Sequence, residues 1–112
     1  MAGKKDLVKD SDRYSILVKS FDKCYVCGSK NVHIHEVFGG NNRGKSKEDG
    51  LCLPLCQTHH TGRFGPHTDH SFDIKLKQWA ERVWLQTYTD KNLTEPEQIK
   101  LFISRYGKNY LD

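Results

Sequence analysis

Two pairs of metal-ligand residues bracket a histidine-bearing segment in this chain. Cys24 and Cys27 form a Cys-x-x-Cys pair, and Cys56 and His59 form a Cys-x-x-His pair. Zinc takes four thiolate or imidazole ligands in a tetrahedron, and two knuckles with two-residue spacers supply such a set. Cys24, Cys27, Cys56 and His59 are therefore the candidate ligands of a structural Zn2+. Cys52 is the runner-up, because with Cys24, Cys27 and Cys56 it completes an all-cysteine set. It stands between Leu51 and Leu53, which reads as a small core residue within a strand.

The remaining histidines suggest a second site. Hydrolysis of a phosphodiester needs a base to activate water and a cation to stabilise the pentacoordinate phosphorane and the leaving oxygen. A divalent ion held by two or three imidazoles or carboxylates keeps positions open for phosphate and water. His35 at the end of a predicted strand and His60 at the start of a predicted helix are placed to meet across a hairpin, and His67 adds a third ligand or a phosphate contact. Arg43, Lys45, Lys47 and Arg63 flank this site; phosphate contact and plain solvation both stay open for them. His33 reads as a surface position and His70 as a helix cap or surface residue. Trp79 and Trp84 have helical spacing, which favours core packing over base stacking.

The elements that must hold these groups follow from periodicity. Residues 1–12 are polar and charged, and a frayed tail is expected. Tyr14–Val18 is an apolar run suited to a strand or a helical turn. Cys24–Gly28 reads as a knuckle. Val32–Phe38 alternates and is rich in β-branched residues, which predicts a strand ended by Gly39-Gly40-Asn41-Asn42. Residues 41–50 predict a polar loop, and Leu51–Leu55 a second strand with Pro54 at an edge or strand end. A short helix follows from Gln57 and breaks near Gly62 or Gly65. Phe72, Leu76, Trp79, Ala80, Val83 and Tyr88 mark an amphipathic helix over 71–88. Thr94-Glu95-Pro96-Glu97 is a capping box opening a last helix, with an apolar stripe of Ile99, Phe102, Ile103 and Tyr106 and a stop at Gly107.

The chain has 112 residues, enough for one domain with a limited core that a metal clip would reinforce. Its formal charge is +4, and residues 1–66 carry 11 cationic against 7 anionic side chains while the remainder carries 7 of each. The excess lies in the half holding the Cys/His motifs, which suits a polyanionic partner and equally an ordinary solvated surface. No signal peptide and no apolar run long enough to cross a membrane is visible, so a reducing, cytoplasmic setting is expected and metal binding is favoured over disulfides.

His35-Glu36-Val37-Phe38-Gly39-Gly40, then Asn42-Arg43, then Gly50-Leu51-Cys52-Leu53-Pro54-Leu55-Cys56 and His59-His60-Thr61-Gly62 resemble the HNH endonucleases of the ββα-metal class. The likeness is strongest to small, often phage-encoded members that carry a zinc clip. It extends through Gly65-Pro66-His67 and the closing Phe102 to Leu111, covering roughly residues 22–112. In such relatives the second strand runs into Leu-Cys-x-x-Cys-His; here His59 replaces the second cysteine. The resemblance implies a single α+β domain over 1–112, with a ββα-metal core and zinc clip in 22–67 and a helical C-terminal extension in 71–107. It implies metal-dependent cleavage of DNA, with His35, Glu36, Asn42 and His60 catalytic. A divalent Mg2+, Mn2+, Ni2+ or Zn2+ would be held by His35, His60 and His67. Asn42 would hold the loop or orient the base, as the middle Asn of the motif does in relatives.

One departure stands out. Many relatives have His-His or Asp-His where this chain has His35-Glu36. Alignment gives His35 the ligand position and Glu36 the base position; the reverse assignment stays open. Both side chains cannot enter the site from a regular strand, so a bulge or strand end is required. The alternative function is a zinc-stabilised DNA-binding module, or an accessory of a phage packaging machine, whose catalytic site has decayed.

Overall fold

The computed structural model describes residues 12–111. The tail expected over 1–12 lies outside the described residues except for Asp12. Two short strands, β1 (His33–Glu36) and β2 (Cys52–Leu55), pair antiparallel, with His33 opposite Leu55 and Glu36 opposite Cys52. Between them a 3-10 turn (Gly40–Asn42) leads into α1 (Arg43–Asp49). The short helix α2 (Gln57–His60) follows β2 directly and packs on both strands. Two longer helices, α3 (His70–Tyr88) and α4 (Glu95–Tyr106), pack against each other and complete a small α+β domain.

β1 is shorter than the predicted strand over 32–38; His33 and His35 share one face, with His33 exposed at the strand start and His35 buried, while all four residues of β2 are buried. Pro54 faces Ile34, and its carbonyl accepts the backbone N–H of Tyr25 at 2.9 Å. Its missing N–H therefore lies on the outer side of β2 and removes no bond of the ladder. Tyr14–Val18 forms neither strand nor helix. The hydroxyl of Ser15 accepts the N–H groups of Leu17 and Val18 at 2.9 and 3.1 Å, and donates to the carbonyl of Cys52 at 2.7 Å. A side chain that captures nearby N–H groups competes with regular pairing.

Residues 41–50 correct the expectation of a polar loop. They form the end of the 3-10 turn and α1, with Gly44, Ser46, Lys47 and Asp49 buried. Polar composition does not mean solvation when each group finds a partner inside. The Ser46 hydroxyl donates to the carbonyl of Phe38 at 2.8 Å and accepts its N–H at 3.1 Å. Asp49 accepts Trp84 Nε1 at 2.8 Å, the Tyr106 hydroxyl at 2.7 Å, and both Nε and Nη2 of Arg105 at 2.6 and 3.0 Å. This carboxylate ties α1 to α3 and α4. Gly50 ends α1 in the left-handed region at φ 75°, and a Cβ there would stand 2.6 Å from the Tyr14 ring.

The long helices match their sequence signals. Asp69 caps α3 by accepting the N–H of Phe72 at 3.1 Å, so His70 is the exposed first helical residue and not the cap. Thr94 and Glu97 form the reciprocal capping box of α4, and Gly107 closes it at φ 90°. In the predicted stripe of α4, Phe102 and Tyr106 are buried, Ile99 is half-buried and Ile103 is exposed. The core joins Leu76, Ala80, Trp84 and Leu85 of α3 to Phe102 and Tyr106 of α4, under the sheet residues Leu53 and Leu55. Trp84 belongs to this core. Trp79 is half-buried and stacks on Tyr25 at 5.2 Å, holding the Cys24–Gly28 knuckle to α3.

Candidate metal centres

The first cluster is built by two tight turns. The Cys24–Gly28 turn closes through the Gly28 N–H to the Cys24 carbonyl at 2.9 Å, and the Cys24 N–H reaches the Ser29 carbonyl at 2.8 Å. Cys56 stands at the N-cap of α2, so His59 returns one turn later to the same side. The donor atoms of Cys24, Cys27, Cys56 and His59 all lie within 4.8 Å of one another. Sγ of Cys27 and Cys56 are 3.7 Å apart, and Nδ1 of His59 lies 3.3 Å from Sγ of Cys56 and 3.8 Å from Sγ of Cys24. Zinc bonds of ~2.3 Å to sulfur and ~2.0 Å to nitrogen imply tetrahedral edges of ~3.8 Å (S to S) and ~3.5 Å (S to N). These three edges lie within a few tenths of an ångström of those values, and the four donors suit a structural metal such as zinc.

The chemistry of the donors agrees. All four cysteines are free thiols. Burial pushes the Cys24 thiol up, but backbone N–H groups of Cys56, Cys27 and Val26 outweigh it and bring it down to about 6. A thiol surrounded by amide donors is ready to ligate as thiolate. Cys52 stands outside the cluster; it is fully buried and its Sγ donates to the Tyr14 carbonyl at 3.3 Å.

A second cluster gathers His35, His60 and His67, whose donor nitrogens also lie within 4.8 Å of one another. His35 comes from β1, His60 from the end of α2, and His67 from the loop before α3. That loop returns tightly because residue 65 is glycine: a Cβ there would lie 2.0 Å from the His60 carbonyl oxygen. The Thr68 hydroxyl pins the turn by donating to the Gly62 carbonyl at 2.7 Å. Nε2 of His60 and His67 are 3.3 Å apart, close to the ~3.3–3.4 Å edge of a tetrahedral site with metal–nitrogen bonds of 2.0–2.1 Å. Nε2 of His35 and Nδ1 of His60 are buried with no hydrogen-bond partner. An unsatisfied buried polar group costs about 1–3 kcal/mol, so His35 Nε2 asks for a ligand; His60 meets His67 through Nε2, and its Nδ1, the other ring nitrogen, cannot join the same ion. Burial, then the nearby charges of His60, His67 and Lys77, bring His35 down to about 3; burial and His67 also lower His60. Neutral imidazole is the metal-binding form. His33 is exposed outside this trio, with its ring 5.6 Å from that of His60.

A cleft of about 310 Å³ opens beside the trio, lined by His35, Glu36, Asn42, His67, Asp73 and Lys77 among others. Glu36 is next to His35 but joins no metal cluster. Its carboxylate accepts Nη2 of Arg13 at 2.7 Å and Nε of Arg43 at 3.3 Å. Asn42 anchors the 3-10 turn by donating to the Tyr106 carbonyl at 3.0 Å. The four candidate phosphate contacts divide. Arg43 and Arg63 are exposed, Lys45 donates to the Arg105 carbonyl at 2.8 Å, and Lys47 is buried at 5% exposure. The helical course of 43–49 turns Lys47 inward, where its charge acts on Cys52.

Sequence reasoning did not single out Arg13, Asp49, Asp73 or Lys77. Arg13 lies ahead of every motif and carried no local signal. Asp73 and Lys77 are visible as a helical i,i+4 pair, yet nothing in the sequence sets that helix face against β1. Comparison with protein-family models, curated proteins and solved structures gives no match for this chain. No helix among the described residues is long and apolar enough to cross a membrane.

Proposed function

We propose that this chain is a metal-dependent DNA endonuclease with an HNH, ββα-metal site. The observation that carries the reading is the convergence of His35, His60 and His67, with the buried Nε2 of His35 lacking a partner, at the edge of a polar cleft. The antiparallel pair β1–β2, joined through the 3-10 turn and α1 and followed by the short helix α2, supports a ββα-metal core, with one candidate ligand on β1 and another on α2. The Cys24, Cys27, Cys56 and His59 clip anchors α2 and so fixes where His60 points.

In this reading His35, His60 and His67 hold the ion. A bound divalent cation would supply Lewis-acid stabilisation of the phosphorane and lower the pKa of its water. Three imidazoles without a carboxylate suit Zn2+ or Ni2+ better than Mg2+. Glu36 accepts the proton of the attacking water. Its two guanidinium partners orient it, and an ionised carboxylate has about four lone-pair sites, so acceptor capacity remains. Asn42 ties the turn before Arg43 to α4 and so steadies the cleft.

One observation favours a second reading. Both oxygens of Glu36 are engaged by Arg13 and Arg43, as expected of a DNA-binding or packaging accessory module whose base has become structural. Plasmid nicking by protein treated with EDTA and resupplied with Mg2+, Mn2+, Ni2+ or Zn2+ decides between them. The enzyme nicks with at least one ion, His60→Ala abolishes nicking, and Glu36→Gln slows it by roughly 10²–10⁴-fold with metal affinity kept. DNA binding without nicking under every ion and pH selects the second reading.

A further inference from the structure

We propose that Lys77 grips the phosphate of the bound nucleic acid in the cleft it shares with His35 and His67, with Asp73 as its positioning residue. This deepens the endonuclease reading and rests on it for the identity of the anion. Asp73 and Lys77 lie one turn apart on α3, outside every motif of the sequence, and both line the cleft together with His35 and His67. Lys77 Nζ donates to Asp73 Oδ2 at 2.8 Å, and the two side chains are only 22% and 19% exposed. The ammonium also lies over the Tyr110 ring at 5.6 Å.

Tyr110 is itself fixed. Its N–H donates to Glu81 Oε1 at 2.8 Å, its carbonyl accepts Gln78 Nε2 at 3.0 Å, and its ring meets Phe38 at 5.4 Å. Lys77 is thus held on two sides, and of its three N–H donors Asp73 takes one. An i,i+4 pair on an open helix face needs no explanation. This pair is drawn into a cleft that His35 and His67 also line, where desolvation opposes it. The three histidines bring no negative charge to the site. An ammonium facing a cation held by neutral imidazoles is favourable when an anion lies between them, and a phosphodiester is that anion.

The test compares Lys77→Gln, Lys77→Arg and Lys108→Gln in the full chain. Lys108 lies over the same Tyr110 ring at 5.2 Å but is not among the cleft residues. Its substitution therefore removes the same charge from outside the cleft. Binding of a short fluorescent DNA duplex is measured across salt concentrations, and nicking rates in the most active metal. Lys77→Gln should flatten the slope of log K against log salt by about 0.9 and lower kcat/KM by roughly 10–100-fold, with metal content unchanged. Lys77→Arg should restore most of both, and Lys108→Gln should stay near wild type. Equal effects of Lys77→Gln and Lys108→Gln, or no effect of Lys77→Gln on the slope, overturn the proposal. If wild-type protein binds DNA and nicks with no metal, the endonuclease reading falls while the slope still decides the role of Lys77. If it binds no DNA, both fall.

Discussion

The two Cys/His clusters meet on one short helix, where His59 belongs to the first and His60 to the second. They differ in the number and charge of their donors. The clip has four donors at tetrahedral spacing, and its three thiolates more than neutralise a divalent ion. The trio has three imidazoles and no acidic partner within the cluster; each cluster borders a cleft, of about 710 Å³ beside Cys27, Cys56 and His59 and of about 310 Å³ beside His35 and His67. Four closed ligands make a structural site; three ligands with an open side leave a coordination position for chemistry. On the proposed reading adjacent residues on α2 carry opposite tasks, with the four-ligand cluster orienting the three-ligand one.

The largest expected effect separates these tasks. Structural zinc contributes about 10 kcal/mol or more to small zinc-folded units, comparable to the whole stability of a domain this size. Cys24→Ser or Cys56→Ser should lower soluble yield sharply and abolish cooperative thermal unfolding. His60→Ala should keep the wild-type unfolding profile and full occupancy of the clip while losing nicking. A folded, active Cys24→Ser protein would show that the clip is not structural, and an unfolded His60→Ala protein would show that the trio is.

The clip was legible because metal ligation demands particular residue types at short spacing, and the trio because its histidines stand in the segments that carry the resemblance. The Gly28 and Gly107 turns and the Thr94 capping box were legible for a similar reason, since their local chemistry is sufficient. Helix α1 was not. Its residues are polar, and only the tertiary partners Phe38, Trp84, Arg105 and Tyr106 convert that polarity into burial. Glu36 shows the same limit. Its neighbour His35 placed it beside the site, but the Arg13 that pairs with it lies 23 residues earlier in the chain. Long-range polar partners leave no local trace.

Asp49 provides a contrast to the trio: its oxygens are saturated by donors from α3 and α4, whereas the buried nitrogens of His35 and His60 have none. A satisfied group should matter for stability alone. Asp49→Asn keeps the shape but weakens the bonds to Arg105 and Tyr106, and should cost about 2–3 kcal/mol after discounting the partly exposed Arg105. Urea unfolding measures the loss, and the clip and the nicking activity per folded molecule should be unchanged. A larger loss of activity than of stability would place α1 in the working site.

The acid response of the trio sharpens the contrast further. His35 is brought to about 3 by burial and by His60, His67 and Lys77, from a model-peptide value of 6.5. Its folded form binds protons less readily than its unfolded form. The sign follows: stability is full above about pH 6.5 and declines as the pH falls towards the folded value. Between about pH 6.5 and 5 the loss should be roughly 1–2 kcal/mol in protein mildly chelated to strip the trio but not the clip. His35→Gln should flatten this dependence in parallel urea titrations. An unchanged pH slope in that variant would show that another group titrates.

The smallest expected effect concerns Cys52, the one cysteine outside both clusters. Its Sγ donates to the Tyr14 carbonyl at 3.3 Å, and its side chain is fully buried among core residues. Serine keeps the donor and nearly the volume, so Cys52→Ser should cost about 1 kcal/mol through the polarity of a buried hydroxyl whose one bond is retained. Zinc content should remain that of wild type. His59→Ala should instead empty the clip or leave it with a readily chelated ion, because three thiolates then close the tetrahedron only with water. The pair of variants reads the fourth ligand directly. Zinc lost from Cys52→Ser and kept in His59→Ala would transfer His59 out of the clip, and α2 would then be held by Cys56 alone. His60 would lose the anchor that the adjacent His59 provides, so nicking should also fall in His59→Ala if the closed cluster orients the open one. Activity that survives the loss of zinc in His59→Ala would break that dependence and leave the two clusters as neighbours without coupling.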